Sequence, residues 1–249
     1  MTPRTLLALG AAVLAFSAGA LAFDGTTGLG VDVAVAAETS HDAAPVHVTN
    51  ADLRRVDSIE LDAEALVLRD GDDTVVESSM RDSGLTVSVL NRLLGTPSRT
   101  QTAEGDGGAC FPAGTTYTWG GAVRVAALTT DAAAGNAVEI RVLRDAVRST
   151  FGRQIELTGP DGVRVGDDIG DEIADAPRSE RVSFGSDDSR AWQLLLREGW
   201  ADRHHDDDDD HESNKRTDDA GTNGVSALTN ETTVTVLGSP MPVHAQRSC

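Results

Sequence analysis

The sequence predicts an α+β fold of two tandem units, each a short helical segment packed on an antiparallel β-sheet. Three observations carry that expectation. In "SGLTVSVLNRLL", residues 83–94, the apolar positions Leu85, Val89, Leu90, Leu93 and Leu94 share one face of a helix. "TTYTWGGAVRVAAL" holds two β-rich runs joined at Gly120-Gly121, the pattern of a tight hairpin. The triplet Gly-Asp-Asp occurs at Gly71-Asp72-Asp73 and again at Gly166-Asp167-Asp168, each time between a strand-like run and an apolar-bearing segment. The order of elements therefore starts again in the second half.

Taken from the N-terminus, the chain begins with an export signal. Arg4 precedes the apolar run Leu6–Ala22, which closes on Ala20-Leu21-Ala22, the order of charged, apolar and small-residue regions in a secretory signal peptide. Residues 1–22 are read as that signal. A second cut after Ala34-Val35-Ala36, extending it to about residue 37, and an uncleaved membrane anchor are the alternatives. Residues 23–55, rich in Gly, Thr, Ala and Asp without a sustained period, read as a flexible tether.

The first unit spans 56–158 and the second 159–249. "SIELDAEALVLRDGDD" suits a strand ending in a polar turn. The helix follows, with Ser83 as its cap, Gly95 as its left-handed stop and Pro97 forbidding continuation. After the hairpin, "NAVEIRVLRD" adds a strand with Val138, Ile140 and Val142 on one face. In the second unit "DGVRVGDDIGDEIADAP" reads as a short strand, the Gly-Asp-Asp turn, and a short helix through Ile169 and Ile173 ending before Pro177. In each triplet an Asp is placed to cap the helix that follows. "RVSF", "RAWQLLL", "GVSAL" and "TTVTVL" are the later strands.

Composition narrows the function classes. The chain has 40 acidic against 21 basic residues, a formal charge of −19. Such a surface repels phosphate backbones and anionic headgroups, which argues against nucleic acid as a partner; cationic partners, metal ions or simple solubility fit the charge better. Cys110 and Cys249 are the whole cysteine complement. An exported chain with an even count favours a bridge between them. It would close a loop of 249 − 110 = 139 residues, which on the loop-entropy model stabilises by about 4–5 kcal/mol, less any strain.

Residues 202–223 form the most unusual stretch. "RHHDDDDDHE" supplies His204, His205, Asp206, Asp208, Asp210 and His211 as donor types for Zn, Ni, Cu or the harder divalent cations. The run lacks EF-hand spacing and any His-Glu-x-x-His pattern. Consecutive aspartates repel one another, so a solvated connection between two strands is the expectation, with weak divalent cation binding as the alternative. No cofactor and no catalytic constellation is read from the chain. There is no nucleophile elbow, phosphate loop or dinucleotide fingerprint. Ser186 stands beside acids without a histidine to activate it, and His41, His47 and His244 lie near the ends. Asp167 and Asp168 are more simply explained as helix caps than as an acid–base pair. Trp119, Trp192 and Trp200 read as packing residues, with Trp200 also a candidate ligand platform because it abuts the polar loop.

The patterns "DGVRVGDDIGDEI" and "LLGTP", ahead of a sheet, resemble the tandem helix-on-sheet repeat of β-lactamase-inhibitor proteins and of small outer-membrane lipoprotein domains. Exported actinobacterial proteins of unassigned function are similar. The resemblance covers Ser58 to Cys249. It carries over no functional residue. The function expected is that of an exported non-enzymatic module binding another protein or a cell-envelope component, with a metal-binding protein using the Asp/His-rich run as the alternative and a hydrolase without a recognisable motif third.

Overall fold

The computed structural model describes residues 48–105, 113–131, 135–186, 190–200 and 223–243. It is a mixed α+β structure, mostly sheet. Helix α1 (Asn50–Arg55) leads into β1 (Ser58–Leu61), β2 (Ala65–Asp70) and β3 (Asp73–Ser79). Helix α2 (Ser83–Leu94) precedes β4 (Arg99–Ala103), β5 (Gly114–Trp119), β6 (Val123–Leu128) and β7 (Val138–Val142). Then come β8 (Ala146–Arg148), β9 (Gln154–Thr158) and helix α3 (Gly170–Asp175). The last strands are β10 (Arg181–Phe184), β11 (Ala191–Glu198), β12 (Gly224–Asn230) and β13 (Thr233–Ser239).

These strands form two sheets. One has five strands in the order β3-β2-β1-β9-β8, the other eight in the order β10-β11-β12-β13-β7-β6-β5-β4. The larger sheet is antiparallel throughout. It consists of two four-strand meanders, β4–β7 and β10–β13, whose last strands pair with each other. The sheet therefore runs straight across the expected boundary at residues 158 and 159. In the smaller sheet β9 lies parallel to β1, so chain on either side of α2 and the first meander shares one sheet.

One apolar cluster draws on both sheets and all three helices. Leu53 of α1, Leu90 and Leu93 of α2, and Ile173 of α3 join Ile59, Leu66 and Leu157 of the smaller sheet. From the larger sheet come Trp119, Val125, Ile140, Leu194, Ala227 and Leu237. Each fully buried Leu or Ile contributes about 1.5–3 kcal/mol.

Several local expectations hold and several are corrected. The hairpin at Gly120-Gly121 is present: both glycines take positive φ (56° and 65°), and Ala122 N–H donates to the Trp119 carbonyl at 2.9 Å. That is the doubly left-handed turn that only glycine adopts cheaply. Gly95, at φ 88°, ends α2 as expected. The helix cap, however, is Asp82 and not Ser83; its Oδ1 accepts from Leu85 N–H at 2.8 Å. "SIELDAEALVLRDGDD" is two strands, because Asp62-Ala63-Glu64 makes a turn that the loose alternation concealed.

The two Gly-Asp-Asp triplets also differ. Gly71-Asp72 turns the β2–β3 hairpin and caps no helix. Gly166-Asp167-Asp168 lies in a loop before α3, where Asp167 Oδ2 accepts from Arg164 N–H and Asp168 Oδ1 from Gly170 N–H. The short strand expected at Val163–Val165 is absent, and that stretch is irregular. The expected tether stops short of residue 55, since α1 is a helix with Leu53 fully buried. It is held by a capping box in which Thr49 and Asp52 bond reciprocally. Arg92 of α2 reaches back to the Val48 carbonyl and to Asn50.

Candidate functional site

The Asp/His-rich segment is the obvious place to look for function, and the structure describes both of its ends. Glu198 of β11 pairs with Gly224 of β12. Beyond that pair, Gly199 N–H donates to the Asn223 carbonyl at 2.7 Å and Asn223 N–H to the Trp200 carbonyl at 2.9 Å. Trp200 and Asn223, the described residues on either side of 201–222, therefore stand side by side at one point of the sheet. The junction is tight: a Cβ on Gly199 would stand 3.0 Å from both Ala63 and Glu64 side chains.

Asn223 fixes this base to the core. It is 1% exposed and faces Asn136, which is fully buried. Their amides bond reciprocally, Asn136 Nδ2 to Asn223 Oδ1 at 3.1 Å and Asn223 Nδ2 to Asn136 Oδ1 at 3.3 Å. Asn223 also donates to the Ala63 carbonyl, which accepts a further bond from Ser239 Oγ at 3.2 Å. Gly224 N–H donates back to Asn223 Oδ1 at 3.0 Å. Four chain segments thus meet in one hydrogen-bonded cluster: the β1–β2 turn, the β6–β7 loop, the start of β12 and the end of β13. Such a cluster stabilises when fully paired and is costly when broken.

Beside it, the Arg81 guanidinium lies over the Trp200 ring, 4.1 Å from its centroid, a close cation–π contact. Gly135 allows this approach, since a Cβ there would meet Arg81 Nε at 3.2 Å. Arg197 adds an ion pair to Asp62 at 2.7 Å. The face of Trp200 beneath Arg81 is therefore already occupied, which removes it as an open ligand platform. Trp119 is a packing residue as expected, 1% exposed, with Nε1 donating to the Gly95 carbonyl at 2.9 Å. Trp192 is half-buried, with Arg181 and Arg190 within 6 Å of its ring.

The donors His204, His205, Asp206, Asp208, Asp210 and His211, and both Cys110 and Cys249, lie outside the described residues, as do residues 1–47 and His244. Among the described residues no group of three or more His, Cys, Asp or Glu side chains could hold a metal ion. Asp167 and Asp168 act as turn acceptors. A shallow depression of about 310 Å³ is lined by Ala146, Val147, Arg148 and Gln154 at the β8 edge of the smaller sheet. It contains a single charged side chain and no pair of groups suited to acid–base work. Asn136, Asn223 and Arg81 were not legible as site residues. Asn223 reads locally as a turn former, and nothing in sequence links it to an amide 87 positions away. Compared with known proteins, the chain matches no family model, no curated protein and no solved structure.

Proposed function

We propose that this chain is an exported, non-enzymatic binding module that presents residues 201–222 to a protein or other component of the cell envelope. The observation that carries the reading is the base of that segment. Both ends are bonded to each other and anchored by Asn223 to a fully buried amide. Anchoring both ends of a polar segment on a packed scaffold lowers the entropy lost when it meets a partner. The acidic balance favours a cationic partner surface and disfavours nucleic acid. The test replaces residues 203–220 with Gly and Ser at equal length. Binding of the mature protein to isolated envelope fractions should disappear while the melting temperature stays nearly constant. Unchanged binding would overturn the reading.

The second reading is divalent cation binding through His204, His205, Asp206, Asp208, Asp210 and His211, favoured by adjacent imidazole and carboxylate donors. A ligand that binds only the native state raises the midpoint of unfolding. Under this reading Zn or Ni raises the melting temperature of the EDTA-treated protein; under the first it does not.

Export rests on the Arg4, Leu6–Ala22 and Ala20-Leu21-Ala22 order, and N-terminal sequencing of secreted protein should begin near Phe23 or Ala37. Among the described residues no helix is long and apolar enough to cross a membrane. A Cys110–Cys249 bridge goes with export, and two freely alkylated thiols in the secreted protein would exclude it. The tandem origin of the two halves is supported by the larger sheet. In each half a helix precedes a four-strand meander, and the antiparallel β7–β13 pair is what a local two-fold axis normal to the sheet would produce.

A further inference from the structure

A second surface lies on the first meander, and its charge is opposite to that of the acidic run Asp206–Asp210. In the first meander Arg99 of β4 pairs with Thr118 of β5, Thr118 with Arg124 of β6, and Arg124 with Arg141 of β7. Residues directly opposite in a sheet point to the same face. Val123 and Val125, flanking Arg124, are fully buried, so the row lies on the face turned away from the core. Arg99 and Arg124 are exposed, and Arg141 is half-buried with its guanidinium 3.7 Å from Met241 Sδ. The strap after β13 thus bounds the row at one end, and β4, an edge strand with all five residues exposed, leaves it open at the other.

Like charges directly opposite in a sheet destabilise it, and Arg124 faces Arg141 in a chain that has acids to spare. Among the described residues neither Arg99 nor Arg124 forms an ion pair, and Glu139 lies one row away, opposite Ala126. An arginine on an edge strand guards against unwanted pairing. That reason does not extend to Arg124 and Arg141, which sit on interior strands.

We propose that this row is a docking face for an extended acidic peptide segment of a partner protein, lying across strands β4 to β7. Neighbouring strands are about 4.8 Å apart, so the row from Arg99 to Arg141 spans about 14 Å. An extended peptide puts alternate side chains on one side about 7 Å apart, so three carboxylates at alternate positions also span about 14 Å. Thr118 offers a hydroxyl between the first two arginines. A polyanion or an anionic membrane would meet the field of the whole chain, at −19, and be repelled. A short acidic segment meets chiefly the row.

The test uses the full mature chain and a labelled seven-residue peptide alternating Thr and Glu, followed by fluorescence anisotropy. The peptide should bind, bind less well as salt rises from about 50 to 300 mM, and lose at least about tenfold in affinity in the Arg99→Gln/Arg124→Gln variant. The Arg148→Gln/Arg178→Gln variant should bind as the native protein does, and neither variant should melt lower. Absence of binding, equal binding by the Arg99/Arg124 variant, or arginine-dependent binding of anionic vesicles instead of the peptide would overturn the proposal. So would binding that appears only after Asp206–Asp210 are replaced, which would mean the chain's own acidic run occupies the row. The first three of these outcomes leave envelope binding through residues 203–220 untouched, so the two proposals fail separately.

Discussion

Asn223 shows how much one side chain decides. It satisfies the Ala63 carbonyl, the Asn136 amide and the Gly224 N–H at once, with almost no exposed surface. Replacing it with Ala leaves a buried amide without its partner, and urea denaturation should show a loss of about 2–3 kcal/mol. Asn136→Ala should cost a similar amount, and the double variant less than the sum of the two, because the second change removes a group already orphaned. Additive losses would mean that the amides do not act as a pair. Asp52 offers a second test at this scale. Bonds from the Thr49 hydroxyl at 2.6 Å and N–H at 3.0 Å, with Arg55 beside it, hold its carboxyl below the ordinary 3.8. A folded-state pKa below the unfolded one contributes stability above the unfolded value, and that contribution is lost as pH falls through the folded value. The stability gap between the native protein and Asp52→Asn should therefore be constant above about pH 5 and close as pH falls below 3.8. A gap that persists at pH 2 would place the effect elsewhere.

At the scale of elements, the long helix and the glycine hairpin were legible because their determinants are local. Helix α2 needs only its own apolar face, its stop at Gly95 and Pro97, and a cap. The cap residue was displaced by one, since Asp82 and Ser83 are both competent and only the backbone at Asp82, non-helical at φ −118° and ψ 85°, shows which leads. Asp82→Ala should cost about 1 kcal/mol and Ser83→Ala only a few tenths, measured by thermal or urea unfolding. The reverse ranking would put the helix start one residue later. Helix α1 was missed because six residues are too few to show a period, although Thr-x-x-Asp at 49–52 was a readable capping signal. Strands β8 and β9 were missed for a different reason. They are short, and β9 is stabilised by parallel pairing with β1, nearly a hundred positions earlier in the chain.

For the molecule as a whole, the shared core sets the behaviour. Leu157 of β9 and Leu237 of β13 pack into the same cluster as Ile59 and Ile140. Cutting the chain between 158 and 159 would strip β7 of its β13 neighbour and open the cluster to water. Residues 48–243 should therefore unfold in a single transition, with equal calorimetric and van't Hoff enthalpies. Fragments 48–158 and 159–243 should each lack a cooperative melt when made separately. Two resolved transitions, or a fragment that melts cooperatively alone, would show the halves to be independent domains.

What the sequence determined alone is what short-range chemistry encodes. The 3.6-residue period of α2, the positive-φ demand met by Gly120 and Gly121, and the β-rich runs at β10 to β13 all act within a few residues. The charge, and the Arg4 and Leu6–Ala22 order on which export is proposed, are of the same kind, as properties of the chain before it folds. Only the tertiary structure decided that the two meanders join at β7 and β13, that Asn136 meets Asn223, and that Arg99, Arg124 and Arg141 line one face. Each of these depends on which distant strands pair and in what register. That choice is made by burying apolar surface across the whole core, and no single stretch of sequence holds the surface to be buried.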